Sequence, residues 1–274
     1  SGKQLSNLTY AALWMGKDQS GITGMKYTKN NKLQSNMLVL IDADILYNRA
    51  AFSCETPFSF EGDDVHVSDP ANVADLFHRL TMGILHKLDS SRYFMCWSSH
   101  ENFRTSITST YKANRANARR PALDPSFKEH IKGRYPSVHI NRLEADDVMG
   151  LMSGAFVVIA SDDKDMLTIP GYSYKPRRPD DGLLYVSKED ARYNWYKQIL
   201  MGDRVDGYTG IPGVGEKKSE KIMADNGVTW KTVVDAYEWA DLTEEDAVQT
   251  AQLARILHPG EWDYNTNEPK LWHP

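Results

Sequence analysis

A chain of 274 residues with 41% hydrophobic and 11% aromatic side chains can bury a substantial core, which excludes global disorder. Its formal net charge of −5 argues against a uniformly basic nucleic-acid binder, and no run approaches the roughly 20 apolar residues of a membrane helix. The two cysteines, Cys54 and Cys96, make neither a zinc motif nor a disulfide framework, so a reducing cytoplasm is the expected compartment.

Residues 1–36 read as an N-terminal extension. Ser1-Gly2 matches the scar left when a tag is removed, Leu5 to Met15 has the pattern of a short helix, and Thr23 to Asn36 reads as a linker. Order is expected from Met37, where "MLVLI" (37–41) predicts a buried strand running into Asp42. Asp69 offers an N-cap and Pro70 a first-turn residue to a helix on which Val73, Leu76, Phe77, Leu80, Ile84 and Leu88 recur at helical spacing. "YFMCW" (93–97) and "SVHI" (137–140) predict further strands, followed by a helix from about Glu144 to Ala155 and the strand "FVVIA" (156–160). "GYSYKP" and "GLLYV", around 171–186, predict a hairpin. From about Asp190 the pattern turns helical, with Trp195, Ile199 and Leu200 on one face and a capping-box form at Thr243 to Asp246. This order predicts an α/β fold with a mainly parallel central sheet flanked by helices over 37–189, and a helical region over 190–274 packed on it.

In that layout Asp42, Asp163 and Asp165 fall just past the carboxyl ends of parallel strands, where open α/β sheets place their ligand crevice. Glu144, Asp146 and Asp147 open a helix in "LEADDVMG", and Asp203 and Asp206 sit in the glycine-flanked "MGDRVDGYTG". Alone, the first group reads equally well as a helix cap, and the second is more often a turn than a metal site. Together they raise an electrostatic problem. Two like charges about 4 Å apart at an effective dielectric near 20 repel by roughly 4 kcal/mol, and several such pairs rival the roughly 5–15 kcal/mol stability of a domain. Convergence therefore demands protons or cations. All-oxygen ligands suit Mg²⁺ or Mn²⁺, and two such ions roughly 3.5–4 Å apart clamp the attacking and leaving oxygens of a phosphodiester.

Two basic features point to a polyanion. Phe103 to Leu123 holds no Asp or Glu but carries Arg104, Lys112, Arg115, Arg119 and Arg120, which by itself is equally a solvated face. "GIPGVGEKKSEKI" (210–222) has the form helix, Gly-x-Gly turn, helix. Its Gly213, Val214 and Gly215 amides suit phosphate, and Lys217, Lys218 and Lys221 attract a nucleic-acid backbone.

"LEADD", "SDDKD", "YKANR" and "GDRVDGYTGIPGVGEKKSEKI" resemble the structure-specific 5′-nuclease family, which includes flap endonucleases and the 5′-nuclease domain of bacterial DNA polymerase I. "YKANRANARRP", "DKDMLTIP", "QLARIL" and "LWHP" are similar to the 5′→3′ exonucleases of T-seven-like phages. The resemblance spans about 37 to 274. It implies a PIN-like or resolvase-like core, a basic helical arch over about 99–125 and a helix-hairpin-helix-type motif at 210–222. The implied activity is metal-dependent 5′→3′ exonuclease and flap endonuclease cleavage of DNA, with RNA-primer removal from RNA–DNA hybrids, by a monomer in the cytoplasm of a phage-infected bacterium. Carried over by residue, Asp42, Glu144, Asp146 and Asp147 hold one ion, and Asp163, Asp165, Asp203 and Asp206 serve the second or its water. Asp42, Asp146 and Asp163 are thereby catalytic, as are Lys112 and Arg115, which contact the scissile phosphate. Tyr111 stacks on a base, Arg104, Arg119 and Arg120 join the DNA contacts, and the Gly213–Gly215 turn with Lys217 and Lys218 grips duplex backbone through K⁺.

One position departs from the family. Where many relatives have a metal-ligating Asp after the second strand, this chain has Ser98 or Ser99, with Ser99 the better alignment; Asp44 and His100 are the candidate substitutes. Asp162 has no family role. Two rival readings follow: a DNA-structure-binding protein that has lost catalysis with that ligand, and a phosphatase, because "VLIDADIL" (39–46) also resembles the nucleophile loop of haloacid-dehalogenase-type enzymes. The phosphatase reading leaves "YKANR" and the glycine turn unexplained.

Overall fold

Val39 and Leu40 have no exposed surface, as an unbroken apolar run in a strand covered on both faces predicts. They belong to β1 (Leu38–Asp42) in a computed structural model that describes residues 37–60, 63–123 and 125–274; the expectations for 1–36 lie outside the described residues. β1 leads into α1 (Ala43–Ser53), the hairpin β2 (Glu55–Phe60) and β3 (Asp63–Ser68), α2 (Pro70–Lys87) and β4 (Tyr93–Cys96). Next come α3 (Pro125–Gly133), β5 (Ser137–Val138), α4 (Ala145–Leu151), β6 (Val157–Ala160), β7 (Gly171–Tyr174) and β8 (Leu183–Val186). The remainder holds α5 (Lys188–Met201), β9 (Gly202–Asp203), β10 (Tyr208–Thr209), α6 (Glu216–Asn226), α7 (Trp230–Glu238), α8 (Glu244–Ala254), β11 (Trp262–Asp263) and β12 (Glu268–Pro269).

The main sheet runs β5-β4-β1-β6-β7-β8, parallel throughout except for the antiparallel β7–β8 edge. β1 lies between β4 and β6, so the chain leaves it to one side and returns on the other: a topological switch point, with the crevice beyond the carboxyl ends. Alternation along β1 builds two layers. Val39 and Ile41 pack with Phe77 and Trp97 beneath α1 and α2, whereas Leu40 packs with Val148 and Met149 of α4 and with Ile256 and Leu257 from the chain's end. A third core joins Tyr111 to Trp195, Ile199, Leu200 and Tyr237 of the helical region.

Local signals formed as their chemistry requires. Asp69 accepts the Ala71 amide at 2.8 Å with Pro70 in the first turn of α2, and Thr243 and Asp246 close a capping box on α8. Three expectations need correction. The helix after Glu144 stops at Leu151, because Ser153-Gly154 turn the chain into β6, with the Val157 amide donating to Gly154 O. The segment expected as a helical arch holds no α-helix among its described residues, only 3₁₀ turns at Phe103–Ser106 and Ala113–Asn117. Its hydroxyls compete for backbone: Thr105 Oγ1 donates to Asn102 O and Ser106 Oγ to Phe103 O. Finally, the Gly213–Gly215 turn does not follow a helix directly. The β9–β10 hairpin intervenes, and a Cβ at Gly202 would sit 2.2 Å from the Gly210 nitrogen, so that approach requires glycine.

Candidate active site

Asp42 ends β1 and caps α1: its Oδ1 accepts the Ile45 amide at 3.1 Å, while Oδ2 accepts the Ser161 hydroxyl at 2.8 Å from the end of β6. Ser161 Oγ also accepts the Asp163 amide at 3.1 Å, so one hydroxyl ties the two strand-end acids together. Asp163 opens a 3₁₀ turn by accepting the Asp165 amide at 2.9 Å. Glu144 and Asp146 arrive on the first turn of α4, and Asp203 folds the 203–206 loop by accepting the Val205 and Asp206 amides at 2.7 and 3.2 Å. Backbone hydrogen bonding thus fixes acids from four distant segments, and all of them face one cavity of about 280 Å³. Asp42, Asp44, Glu144, Asp146, Asp163, Asp165, Asp203 and Asp206 line it together with Lys112, Arg115 and Lys164.

The charge on this wall is unevenly balanced. Burial, with Asp44 and Asp163 nearby, raises Asp42 to about 7. Burial, followed by repulsion from Asp42 and Asp163, carries Asp146 well above the carboxylate range. Burial and Asp163 raise Asp165 to about 7. Among the described residues no lysine or arginine forms an ion pair with Asp42, Asp146, Asp163 or Asp165. Burial also works against the charge of Glu144, but the Lys112 and Arg104 cations overcome it and hold this carboxyl at about 2.

The cation supply comes from a constrained loop. Lys112 has a left-handed backbone (φ +53°), its amide donates to Asp206 O at 2.7 Å, and its ammonium contacts Glu144 and lies 3.6 Å from Asp206. Arg115 pairs with Asp206. A Cβ at Gly207 would meet Thr110 O at 2.5 Å, so only glycine lets the two loops approach so closely.

The cavity's donor set fits a hard divalent cation. Its acidic groups are all carboxylates, and burial keeps several of them short of compensating positive charge. They line a shared space rather than a closed cage: among the described residues no three His, Cys, Asp or Glu side chains are grouped to hold an ion as they stand. Mg²⁺ tolerates this openness, since it keeps several waters and takes one or two carboxylates plus substrate oxygens.

Four predicted site residues lie elsewhere or act otherwise. Asp147 has no exposed surface; its two oxygens accept both Arg104 Nη groups at 2.7 Å, and Oδ1 also accepts the Leu257 amide at 3.2 Å. It is a buried ion-pair partner, not a cavity ligand. Arg104, only 3% exposed, is spent on that pair and on Leu253 O, so it presents nothing to DNA. Tyr111 is 6% exposed with its hydroxyl donating to Glu144 at 2.7 Å, which leaves no ring face for a base. Arg119 stacks on Phe52 and pairs with Glu55. Arg120, Gly213, Gly215, Lys217 and Lys218 are exposed, Val214 is half-buried, and Lys218 Nζ donates to Gly213 O at 2.8 Å.

Between the two serines, Ser98 is the one that lines the acidic cavity, where its hydroxyl accepts the Ala145 amide; Ser99 faces a neighbouring cleft with His100. Asp44 also reaches the cavity, accepting the Ser98 amide at 2.7 Å and pairing with Lys128 at 2.5 Å. The Ser161 bridge and Lys128 escaped sequence reasoning. The only available signal for Ser161 was its place immediately before the strand-end acids.

Known proteins place this geometry. Residues 37–175 match the family model of the 5′-3′ exonuclease N-terminal resolvase-like domain. The exodeoxyribonuclease of Enterobacteria phage T3 is 30% identical over 220 residues, covering 66% of this chain and 72% of that protein. The exonuclease of Escherichia phage T7 is 28% identical over 223 residues, covering 66% and 73%. The bacteriophage T5 D15 flap endonuclease, solved as a pseudo-enzyme–product complex with DNA and metal ions, shares the fold with a TM-score of 0.57 at 18% identity, covering 80% of this chain and 89% of its own. No helix among the described residues is long and apolar enough to cross a membrane. The phosphatase reading falls with these matches, and the chain belongs to the 5′-3′ exonuclease family of nucleases.

Proposed function

We propose that the acidic cavity hydrolyses DNA phosphodiesters from 5′ ends and at 5′ flaps, using divalent cations, Mg²⁺ or Mn²⁺, held by Asp42, Asp146 and Asp163 with Asp165, Asp203 and Asp206. The observation that carries this reading is the convergence of those carboxylates on one cavity without enough cationic side chains to neutralise them. Bound divalent ions supply Lewis-acid charge to a phosphate and make water a stronger nucleophile at neutral pH. The chain's own contribution is placement. Asp42 and Asp163 are locked by Ser161, and Glu144 holds the Lys112 ammonium at the cavity edge beside Arg115, where both cations meet an incoming phosphate and balance charge building on it. The Gly213–Gly215 turn, with Lys217 and Lys218 exposed beside it, grips duplex backbone, with K⁺ on its carbonyls. The role belongs to phage DNA replication in the bacterial cytoplasm and includes removal of RNA from hybrids; the phage exonucleases among its relatives support the phage link.

The test is release of label from 5′-labelled duplex and flap DNA with Mg²⁺, with Mn²⁺ and with chelator. Wild-type protein cleaves only with metal, and Asp163→Asn abolishes cleavage while still retarding DNA in a gel. Metal-dependent cleavage by Asp163→Asn at the wild-type rate removes these acids from the reaction. Binding without cleavage by the wild type identifies a DNA-structure-binding protein instead.

A further inference from the structure

Beside the acidic cavity, with Lys112 absent from its lining, lies a second cleft of about 310 Å³ between α1 and the loop after β7. Ile45 and Asn48 line both spaces, so the two adjoin. The cleft's charged groups are two guanidiniums: Arg49, which follows Ile45 by one helical turn on the same face of α1, and Arg177. Arg49 forms no ion pair among the described residues. Arg177 is 61% exposed and keeps only a long contact to Asp162, 3.7 Å from its Nε.

The Arg177 loop is built rather than loose. Asp162 Oδ1 accepts the Arg177 amide at 2.8 Å, and the Arg178 amide closes a turn on Lys175 O at 2.9 Å. Asp162, the acid at the end of β6 that the catalytic cavity does not use, thus fixes the height at which a basic turn stands over α1. Asn48 and Ser53 add neutral polar groups, and no carboxylate lines the cleft. The Arg49 guanidinium, without an ion pair among the described residues, and that of Arg177, held only by the long Asp162 contact, match phosphate oxygens, which guanidiniums bind bidentately.

From this geometry we infer that the α1–Arg177 cleft is a phosphodiester subsite, in which Arg49 and Arg177 hold the backbone of the nucleic-acid strand as it leaves the catalytic cavity, with Asp162 as the positioning residue. The inference rests on the proposed nuclease reading and adds a direction to it: the strand crosses from the Lys112 edge, over the carboxylates, to the α1–Arg177 cleft. Arg49 also lines a narrow space behind Asp42 and Ser161, so one side chain adjoins both the cleft and the acids.

The test uses the full chain and a short DNA duplex, with binding measured across a salt series and cleavage measured as kcat and KM separately. For Arg49→Ala/Arg177→Ala, Kd is expected to rise roughly tenfold, and the slope of log K against log salt to shrink by about 1.8, since each lost phosphate contact removes about 0.9. KM rises while kcat at saturating DNA holds. Arg49→Lys/Arg177→Lys keeps the salt slope but loses part of the affinity, because an ammonium is a point charge without the fork. Asp162→Ala, which removes the acceptor of the Arg177 amide, with native DNA affinity and slope removes its positioning role. Wild-type Kd and slope in the double alanine variant, with a melting curve showing it folded, overturn the subsite. Failure of the nuclease reading looks different: the wild type itself does not cleave, whatever the cleft variants do to binding.

Discussion

Glu144 and Asp42 line one cavity, yet burial leaves Asp42 near 7 while Glu144 titrates near 2 despite it. The difference lies in their neighbours. Glu144 has Lys112, Tyr111 and Arg104 around it, a set of donors brought by the 103–115 segment. Among the described residues Asp42 has only the Ser161 hydroxyl and the Ile45 amide as hydrogen-bond partners, and its nearest charges are other aspartates. One wall carries its counter-ions within the chain. The other has acids without a lysine or arginine ion pair among the described residues, which is the electrostatic basis for proposing cations at Asp42, Asp146 and Asp163.

The comparison breaks most severely at Asp147, the buried base of the compensated wall. Asp147→Asn leaves Arg104 without its anion, and removing one member of a buried pair costs about 3–5 kcal/mol, read as a lower urea midpoint. Mg²⁺ binding by calorimetry persists in this variant; loss of the ion at unchanged stability would restore Asp147 as a ligand. A smaller effect separates the walls by pH. In chelator the folded protein retains protons on Asp42 and Asp165 that the unfolded chain releases above about pH 4. The native state therefore binds more protons in the window up to about 7, and stability falls as pH rises through it. The melting temperature should drop between pH 5 and pH 8 in chelator and recover at pH 8 with Mg²⁺, which binds only the folded state. A pH-independent melt would show these acids to be solvated. The smallest change is local: Lys112→Met should move the Glu144 titration, followed by carboxyl NMR, up toward the ordinary value of about 4.3.

Much of the scaffold was legible because it is encoded locally. Unbroken apolar runs marked β1 and β6, and the Asp69-Pro70 and Thr243 to Asp246 signals marked the starts of α2 and α8. The 103–123 segment was not legible. A block without acids reads as a solvated basic face, but Arg104 finds its carboxylate 43 residues away and a carbonyl acceptor 149 residues away. No spacing within the block carries that information.

By itself the sequence determined which strands end in acids and that those ends share the crevice of a parallel sheet, because strand burial and helix capping depend on near neighbours in the chain. Tertiary structure alone decided which acids face the cavity. Asp146 and Asp147 are adjacent, but successive residues on a helix point roughly 100° apart, so one lines the shared space and the other is enclosed with Arg104. The same logic divides Ser98 from Ser99 and turns Tyr111 inward to Glu144. Facing is a property of packed elements, and packing joins residues that the chain keeps far apart.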